Sequence, residues 1–108
     1  MNVSFEIREC TEAGRSPFAE WFDKLDAVAA DRVDRYIRRL EAGNFGAAKS
    51  LRDGVFELRM DFGPGYRVYC GREGRTIIIL LGGGSKRRQD TDIAAAVERW
   101  KRYKLTRE

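Results

Sequence analysis

The chain has 108 residues, 43% of them hydrophobic and 35% charged, which suits one ordinary domain and excludes an intrinsically disordered chain. Its longest apolar run, 76–81, is far short of the ~20 residues of a membrane-spanning helix, so a soluble globular protein is expected. The net charge is +4 and histidine is absent, which excludes Ser-His-Asp and Cys-His nucleophiles and His-ligated zinc and leaves proton transfer to Glu, Asp, Lys, Tyr or Arg.

The charge is unevenly spread. Residues 1–54 carry 9 basic and 10 acidic side chains and residues 55–108 carry 12 and 7, so a half of +5 follows a half of −1. A basic half suits a polyanion partner, although many basic proteins have none. The N-terminus mixes acidic and basic residues without an apolar stretch or a small-residue cleavage site. No signal peptide is read there, and a cytoplasmic location is the default expectation. In a reducing compartment Cys10 and Cys70 are read as small packing residues, not as a disulfide.

In chain order, Val3, Phe5 and Ile7 alternate with Ser4, Glu6 and Arg8, the period of a strand with one face on a core. Ser16 before Pro17 reads as an N-cap with proline at the first helical position, and Phe18, Trp21, Phe22 and Leu25 recur at helical spacing. After Asp26 a second helix carries Ala30, Val33, Ile37 and Leu40 on one stripe, with Arg32, Arg35, Arg38 and Arg39 outside it and Gly43 as its stop. The two helices are expected as an antiparallel hairpin. From Ser50 the period becomes two: Phe56, Leu58 and Met60 alternate with Val55, Glu57, Arg59 and Asp61, and Phe62-Gly63-Pro64-Gly65 breaks the run. Tyr66, Val68 and Cys70 resume it, 71–74 reads as a second turn, and 76–81 reads as a central strand covered on both faces. Gly82-Gly83-Gly84 reads as a hinge-like exit toward Ser85-Lys86-Arg87-Arg88-Gln89 and a last helix from about Asp90, with Ile93, Ala96, Val97 and Trp100 inward. No repeat or linker interrupts the chain, so residues 1–108 are expected to form one α+β domain: β, α, α, a meander of three or four strands, then α.

Glu57, Arg59 and Asp61 share a strand face, and a hairpin symmetric about Pro64 sets Arg59 opposite Tyr69 and Asp61 opposite Arg67. Lys86, Arg87 and Arg88 reach the edge of that sheet, and Lys49 and Arg52 precede the meander. Two readings stay open. One is a wet sheet face whose Glu–Arg and Asp–Arg pairs contribute ~0.2 to 1 kcal/mol each. The other is a set of fixed cations that bind phosphate and stabilise a phosphorane-like transition state. Gly82-Gly83-Gly84 lacks the spacing of a phosphate-cradling GxxxxGK[ST] loop, and Trp100 in the basic C-terminal stretch falls on the inward helix stripe and is read as core.

The blocks Phe18-Ala19-Glu20-Trp21-Phe22 to Leu25, Gly43-Asn44-Phe45-Gly46, Gly54-Val55-Phe56-Glu57-Leu58-Arg59, Gly63-Pro64-Gly65-Tyr66-Arg67-Val68-Tyr69, and Leu80-Leu81-Gly82-Gly83-Gly84-Ser85-Lys86 to Gln89 with Asp92-Ile93 together resemble the addiction-module killer proteins. These form the HigB-type branch of the RelE/ParE toxin superfamily. The resemblance implies a RelE-like α+β fold, β-α-α-β-β-β(-β)-α, with an antiparallel meander packed on helices. It implies a toxin of a type II toxin–antitoxin system that cleaves mRNA in the ribosomal A site, inhibits translation and uses no cofactor or metal. By position Arg67 would be the transition-state arginine, Lys86 would support the phosphate or leaving group, and Arg59 would be a second phosphate contact. Glu57 stands where some relatives carry lysine, while others use a glutamate nearby, so the resemblance places Glu57 among the catalytic residues and leaves the general base open. Several relatives have a histidine or tyrosine near the last helix that is missing here at 90–93, and Tyr69 is the substitute. Lys49, Arg52, Arg87 and Arg88 would be surrounding RNA- or phosphate-binding cations. The implied partners are mRNA, the ribosome and a helix-turn-helix, HigA-like antitoxin covering the basic face or the helix pair, with operator DNA bound only through the toxin–antitoxin complex and no membrane. Two alternatives come with the same superfamily: a ParE-like toxin that inhibits DNA gyrase, or an inactive toxin retained as a partner for antitoxin and operator.

Overall fold

The computed structural model describes residues 4–106; Val3, read as part of the first strand, lies outside them. The elements run β1 (Glu6–Glu9), α1 (Pro17–Phe22), α2 (Ala27–Glu41), β2 (Ala48–Ser50), β3 (Val55–Arg59), β4 (Tyr66–Glu73), β5 (Ile77–Ser85), a 3₁₀ turn (Lys86–Arg88) and α3 (Gln89–Thr106). They form one five-stranded sheet in the order β1-β5-β4-β3-β2. Strands β2 to β5 are an antiparallel meander, and β1 adds to β5 in parallel. This is the expected α+β architecture, compatible with a RelE-like fold. No described helix is long and apolar enough to cross a membrane.

Local chemistry sets the helix ends. Ser16 Oγ accepts the Ala19 amide at 3.0 Å and Pro17 occupies the first helical position, while Asp26 Oδ1 accepts the Ala29 amide at 2.9 Å to start α2. Beyond α2 the chain turns at Gly43, whose φ of 90° a side chain would strain. Helix α2 buries Ala29, Val33, Ile37 and Leu40; Ala30, expected inward, is only half-buried.

Alternation along β3, β4 and β5 divides the interior into two layers. Leu58, Val68, Cys70, Ile78 and Leu80 pack toward α1 and α2, whereas Val55, Tyr69, Ile79 and Leu81 pack under Ala96, Val97 and Trp100 of α3. The central strand is covered on both faces, as its β-branched run predicts. Cys10 and Cys70 are free and buried in different layers, the packing role expected of them.

Three readings of local glycine are corrected. The hairpin centres on Gly63 rather than Pro64, so Glu57 faces Tyr69 and Arg59 faces Arg67. Gly63 and Gly65 both take positive φ, the Gly65 amide donates to the Phe62 carbonyl, and the Met60 amide closes on Tyr66. Gly71 belongs to β4, and the turn comes at Gly74. Gly82, Gly83 and Gly84 are part of β5 and form no hinge. A bulge against Tyr69 and Cys70 shifts the strand by one residue. Gly82 and Gly84 then face Arg99 and Asp92 of α3, and Gly83 faces Trp21 of α1.

The glycines are there because indoles lie on them. A Cβ at Gly71 would stand 2.5 Å from the Trp100 ring, and one at Gly83 would overlap Trp21. Gly71→Ala is therefore expected to destabilise the fold by about 1–3 kcal/mol. Gly74→Asn, at a φ of 61° with open space around it, should cost less than about 0.5 kcal/mol. Urea unfolding midpoints of the two variants beside the parent check this contrast.

Candidate active site

The sheet register builds two adjacent cross-strand rows. Lys49, Glu57, Tyr69 and Gly82 lie in one, and Arg59, Arg67 and Gly84 in the next. The α3 end covers them, which overturns the reading of a wet sheet face. Glu57 is fully buried, Tyr69 is 1% and Arg67 4% exposed, and at the open ends Lys49 is exposed and the Arg59 side chain is 41% exposed. The cause lies at the first turn of α3: Gln89 Nε2 donates to Glu57 Oε1 at 2.8 Å, and Asp92 rests on the Gly84 backbone where a Cβ would otherwise stand.

Inside the rows, polar atoms are close but incompletely satisfied. Glu57 Oε2 is 3.0 Å from Arg59 Nε, an ion-pair distance without the angle of a hydrogen bond. Arg67 Nη1 donates to the Tyr66 carbonyl at 3.0 Å, but among the described residues its Nε has no acceptor and the Tyr69 hydroxyl no hydrogen-bond partner. Buried polar atoms are ordinarily paired, so four such atoms in two neighbouring rows mark a place not optimised for folding alone. Burial, followed by the Glu57 and Asp92 carboxylates, raises the Tyr69 phenol above its ordinary 10.0, with Arg67 opposing. Burial likewise raises the Asp92 carboxyl, with Arg88 opposing.

Lys86 enters at the rim. Its amide donates to the Gly65 carbonyl at 2.8 Å, and a Cβ at Gly65 would meet Lys86 Cβ at 3.1 Å and Arg67 Nη1 at 3.6 Å. The left-handed glycine in the hairpin thus lets Lys86 and the Arg67 guanidinium share one corner. Arg87 and Arg88 follow, exposed on the 3₁₀ turn, and Lys49 is exposed on the edge strand. Asp61, expected opposite Arg67, instead lies exposed beyond the end of β3. Arg52 is not brought to the site: it is in the turn before Val55, 3.8 Å from Asp53, the length of β3 or about 13 Å from the Arg59 end.

Gln89 and Asp92, which the sequence reading placed in the resembling blocks without a role, are the site residues it missed. The inward stripe of α3 contains their signal, since Gln89 lies four residues before Ile93 and Asp92 four before Ala96. Among the described residues no group of three acidic or thiol side chains converges as a metal site. The groups assembled here are a carboxylate, a phenol, two guanidiniums and an ammonium, a set that can hold an anionic phosphate and exchange protons with it.

Tyr69 and Cys70 hold in the folded chain protons that an unfolded chain releases, since both folded values are raised above 10.0 and 9.0. Their contribution is complete below those values and is lost as pH rises past them. Tyr69→Phe should leave neutral-pH stability unchanged or raise it by up to about 1 kcal/mol, because an unpaired buried hydroxyl is removed. It should also flatten the alkaline limb by about 1.4 kcal/mol per pH unit above about pH 10, read by urea unfolding from about pH 8 to about pH 11.

The model of the phage-derived Gp49-like proteins (DUF891) matches residues 20–104, a span that contains both rows, Lys86 and α3 up to Lys104. An uncharacterized protein of Haemophilus influenzae is 48% identical over 80 residues, covering 73% of this chain and 81% of that protein. The chain belongs to the Gp49-like phage-derived family, which is associated with the toxins of toxin–antitoxin systems.

Proposed function

We propose that this chain is the toxin of a type II toxin–antitoxin system of the HigB type and acts as an mRNA endoribonuclease in the ribosomal A site, stopping translation. One observation carries the reading: Glu57, Arg59, Arg67 and Tyr69 are packed in facing register, with Glu57 and Arg59 ion-paired at 3.0 Å and the Arg67 Nε and Tyr69 hydroxyl without a hydrogen-bond partner among the described residues, and Lys86 stands at their solvent rim. RNA supplies its own nucleophile, the 2′-hydroxyl, so an enzyme has three tasks: to align it, accept its proton and neutralise the phosphate.

The residues divide these tasks by position. The phosphate enters past Arg59 and Lys86, cationic groups open to solvent beside the buried part of the rows. Glu57, buried in the free protein, takes the proton of the 2′-hydroxyl as its oxygen attacks phosphorus, through Oε2, which becomes free when the Arg59 guanidinium turns to the phosphate while Gln89 keeps Oε1. Arg67 and Lys86 hold the non-bridging oxygens as negative charge builds, and the Tyr69 phenol, kept protonated by burial, gives its proton to the departing 5′-oxygen. The products are a 2′,3′-cyclic phosphate and a 5′-hydroxyl, and the scheme requires no metal because side chains carry every charge. Arg87, Arg88 and Lys49 extend the cationic margin. Arg52 is too remote to take part in the same phosphate contact.

The proposed partner that silences the toxin is a helix-turn-helix antitoxin with acidic residues complementary to the +5 half of the chain, which brings the toxin to operator DNA. Its ribosomal target assigns it to the cytoplasm.

The test is a cell-free translation reaction with primer extension of the mRNA, run beside naked mRNA and the Arg67→Lys and Arg67→Ala proteins. New 5′ ends are expected only with ribosomes. Arg67→Lys keeps the charge but loses the two-pronged contact and should cut the rate about 10²–10³-fold. Folded protein that yields no new ends would sink the nuclease reading and direct the work to gyrase supercoiling assays.

A further inference from the structure

The exposed arginines of α2 are not all alike. Arg35 pairs with Asp31 at 3.0 Å, and Arg38 pairs with Asp34 at 3.5 Å and Glu41 at 2.9 Å. Arg32 and Arg39 have no carboxylate partner among the described residues. Each lies instead over an aromatic ring, Arg32 over Phe62 at 5.1 Å and Arg39 over Tyr36 at 4.8 Å, and the two rings are 6.1 Å apart. Beside them is a cleft of about 530 Å³, with Tyr36 and Arg39 on one wall and Lys49 and Arg59 of the sheet edge on the other. Asp61, the acidic residue in this lining, also lines the neighbouring depression that leads to Arg32 and Phe62.

We propose that this cleft is the track for the single-stranded RNA adjoining the reacting phosphate, an inference that rests on the endoribonuclease reading for the identity of the strand. Continuity comes from Arg59, which forms part of the cleft wall and reaches Glu57 at 3.0 Å on the α3 face, so a strand whose phosphate is held at the rows rounds the edge of the sheet past Lys49 to reach the cleft on the α2 face. The chemistry of the walls matches both parts of a nucleotide. Lys49 and the unpaired guanidinium edges of Arg39 and Arg32 meet phosphates, and the planar arginine–aromatic stacks offer faces on which bases stack. Asp61 can accept hydrogen bonds from base amino groups, donors that the side chains of an acidic peptide do not offer, so the lining suits RNA bases better than an acidic protein segment.

The experiment is fluorescence anisotropy with a labelled single-stranded oligonucleotide carrying 2′-O-methyl sugars throughout, so that binding is read without cleavage. The Arg32→Gln/Arg39→Gln protein should bind about tenfold more weakly than the parent, and the slope of log K against log salt should fall by about 1.4, two phosphate contacts' worth. The matched control is Arg75→Gln/Lys101→Gln, two exposed cations away from the cleft with the same loss of charge. It should behave as the parent does. Equal losses in both doubles, no loss in the first, or displacement of the oligonucleotide by a polyglutamate peptide as readily as by unlabelled RNA would overturn the proposal. New mRNA ends in the translation assay with unchanged binding by the first double would leave the nuclease reading standing and the track refuted. A selective binding loss without mRNA cleavage would do the reverse.

Discussion

The burial of Glu57 fixes how the sheet and α3 meet. A carboxylate removed from water is costly unless charge and hydrogen bonds replace its hydration. Here the replacement comes from opposite directions: Arg59 on the same strand at 3.0 Å, and Gln89, the first residue of α3, at 2.8 Å. The second contact pins the start of α3 to the middle of β3. Its later turns are held by apolar contact and a backbone bond, with Trp100 on Gly71 and Arg99 Nη1 donating to the Leu81 carbonyl at 2.8 Å. A helix fastened at both ends has one register along the sheet. That register covers Tyr69 and Arg67 while leaving Arg59 at the margin.

Much of the fold was legible because its signals are local. A serine before a proline, an aspartate ahead of an apolar stripe and a β-branched run each specify their element within a few residues, and the structure has those elements where the pattern put them. The errors share a different cause. A glycine in a strand is indistinguishable in sequence from a glycine in a turn until its neighbour is known, and Trp21 and Trp100 come to Gly83 and Gly71 from far along the chain. The same distance effect governs the candidate site. Strand period correctly set Glu57 and Arg59 on one face, but it could not show that a helix more than thirty residues away covers that face. The contact of Gln89 with Glu57 went unread for this reason. Arg52 was drawn in because charge alone cannot tell one end of a strand from the other.

Net charge proves to be a coarse guide to where an anion would bind. Many cations of this chain are matched on its surface: Arg15 with Glu20, Arg35 with Asp31, and Arg99 and Arg102 with Glu12. Exposed pairs of this kind add little to stability, but they do cancel the local field. What differs between regions is the pairing. Arg32, Arg39, Lys49, Lys86 and Arg87 have no carboxylate partner among the described residues, and they flank the two rows from the α2 side, the sheet edge and the 3₁₀ turn. Unmatched cations such as Arg75 and Lys101 also lie elsewhere on the surface, so it is the grouping of these five around the buried groups, not their lack of partners alone, that would present charge to a polyanion there.

Those buried groups are poorly explained by folding. An apolar residue at Tyr69 or a shorter one at Arg67 would avoid an unpaired hydroxyl and an unpaired guanidinium nitrogen, each a cost of about 1–3 kcal/mol in a core. The surrounding packing offsets that cost, with indoles seated directly on glycine backbone in both layers and aliphatic side chains wholly buried along β5. A chain selected for stability alone would have spread such compromises or removed them. Their confinement to two adjacent rows, next to the Lys86 rim, is the pattern expected where stability has been given up for chemistry.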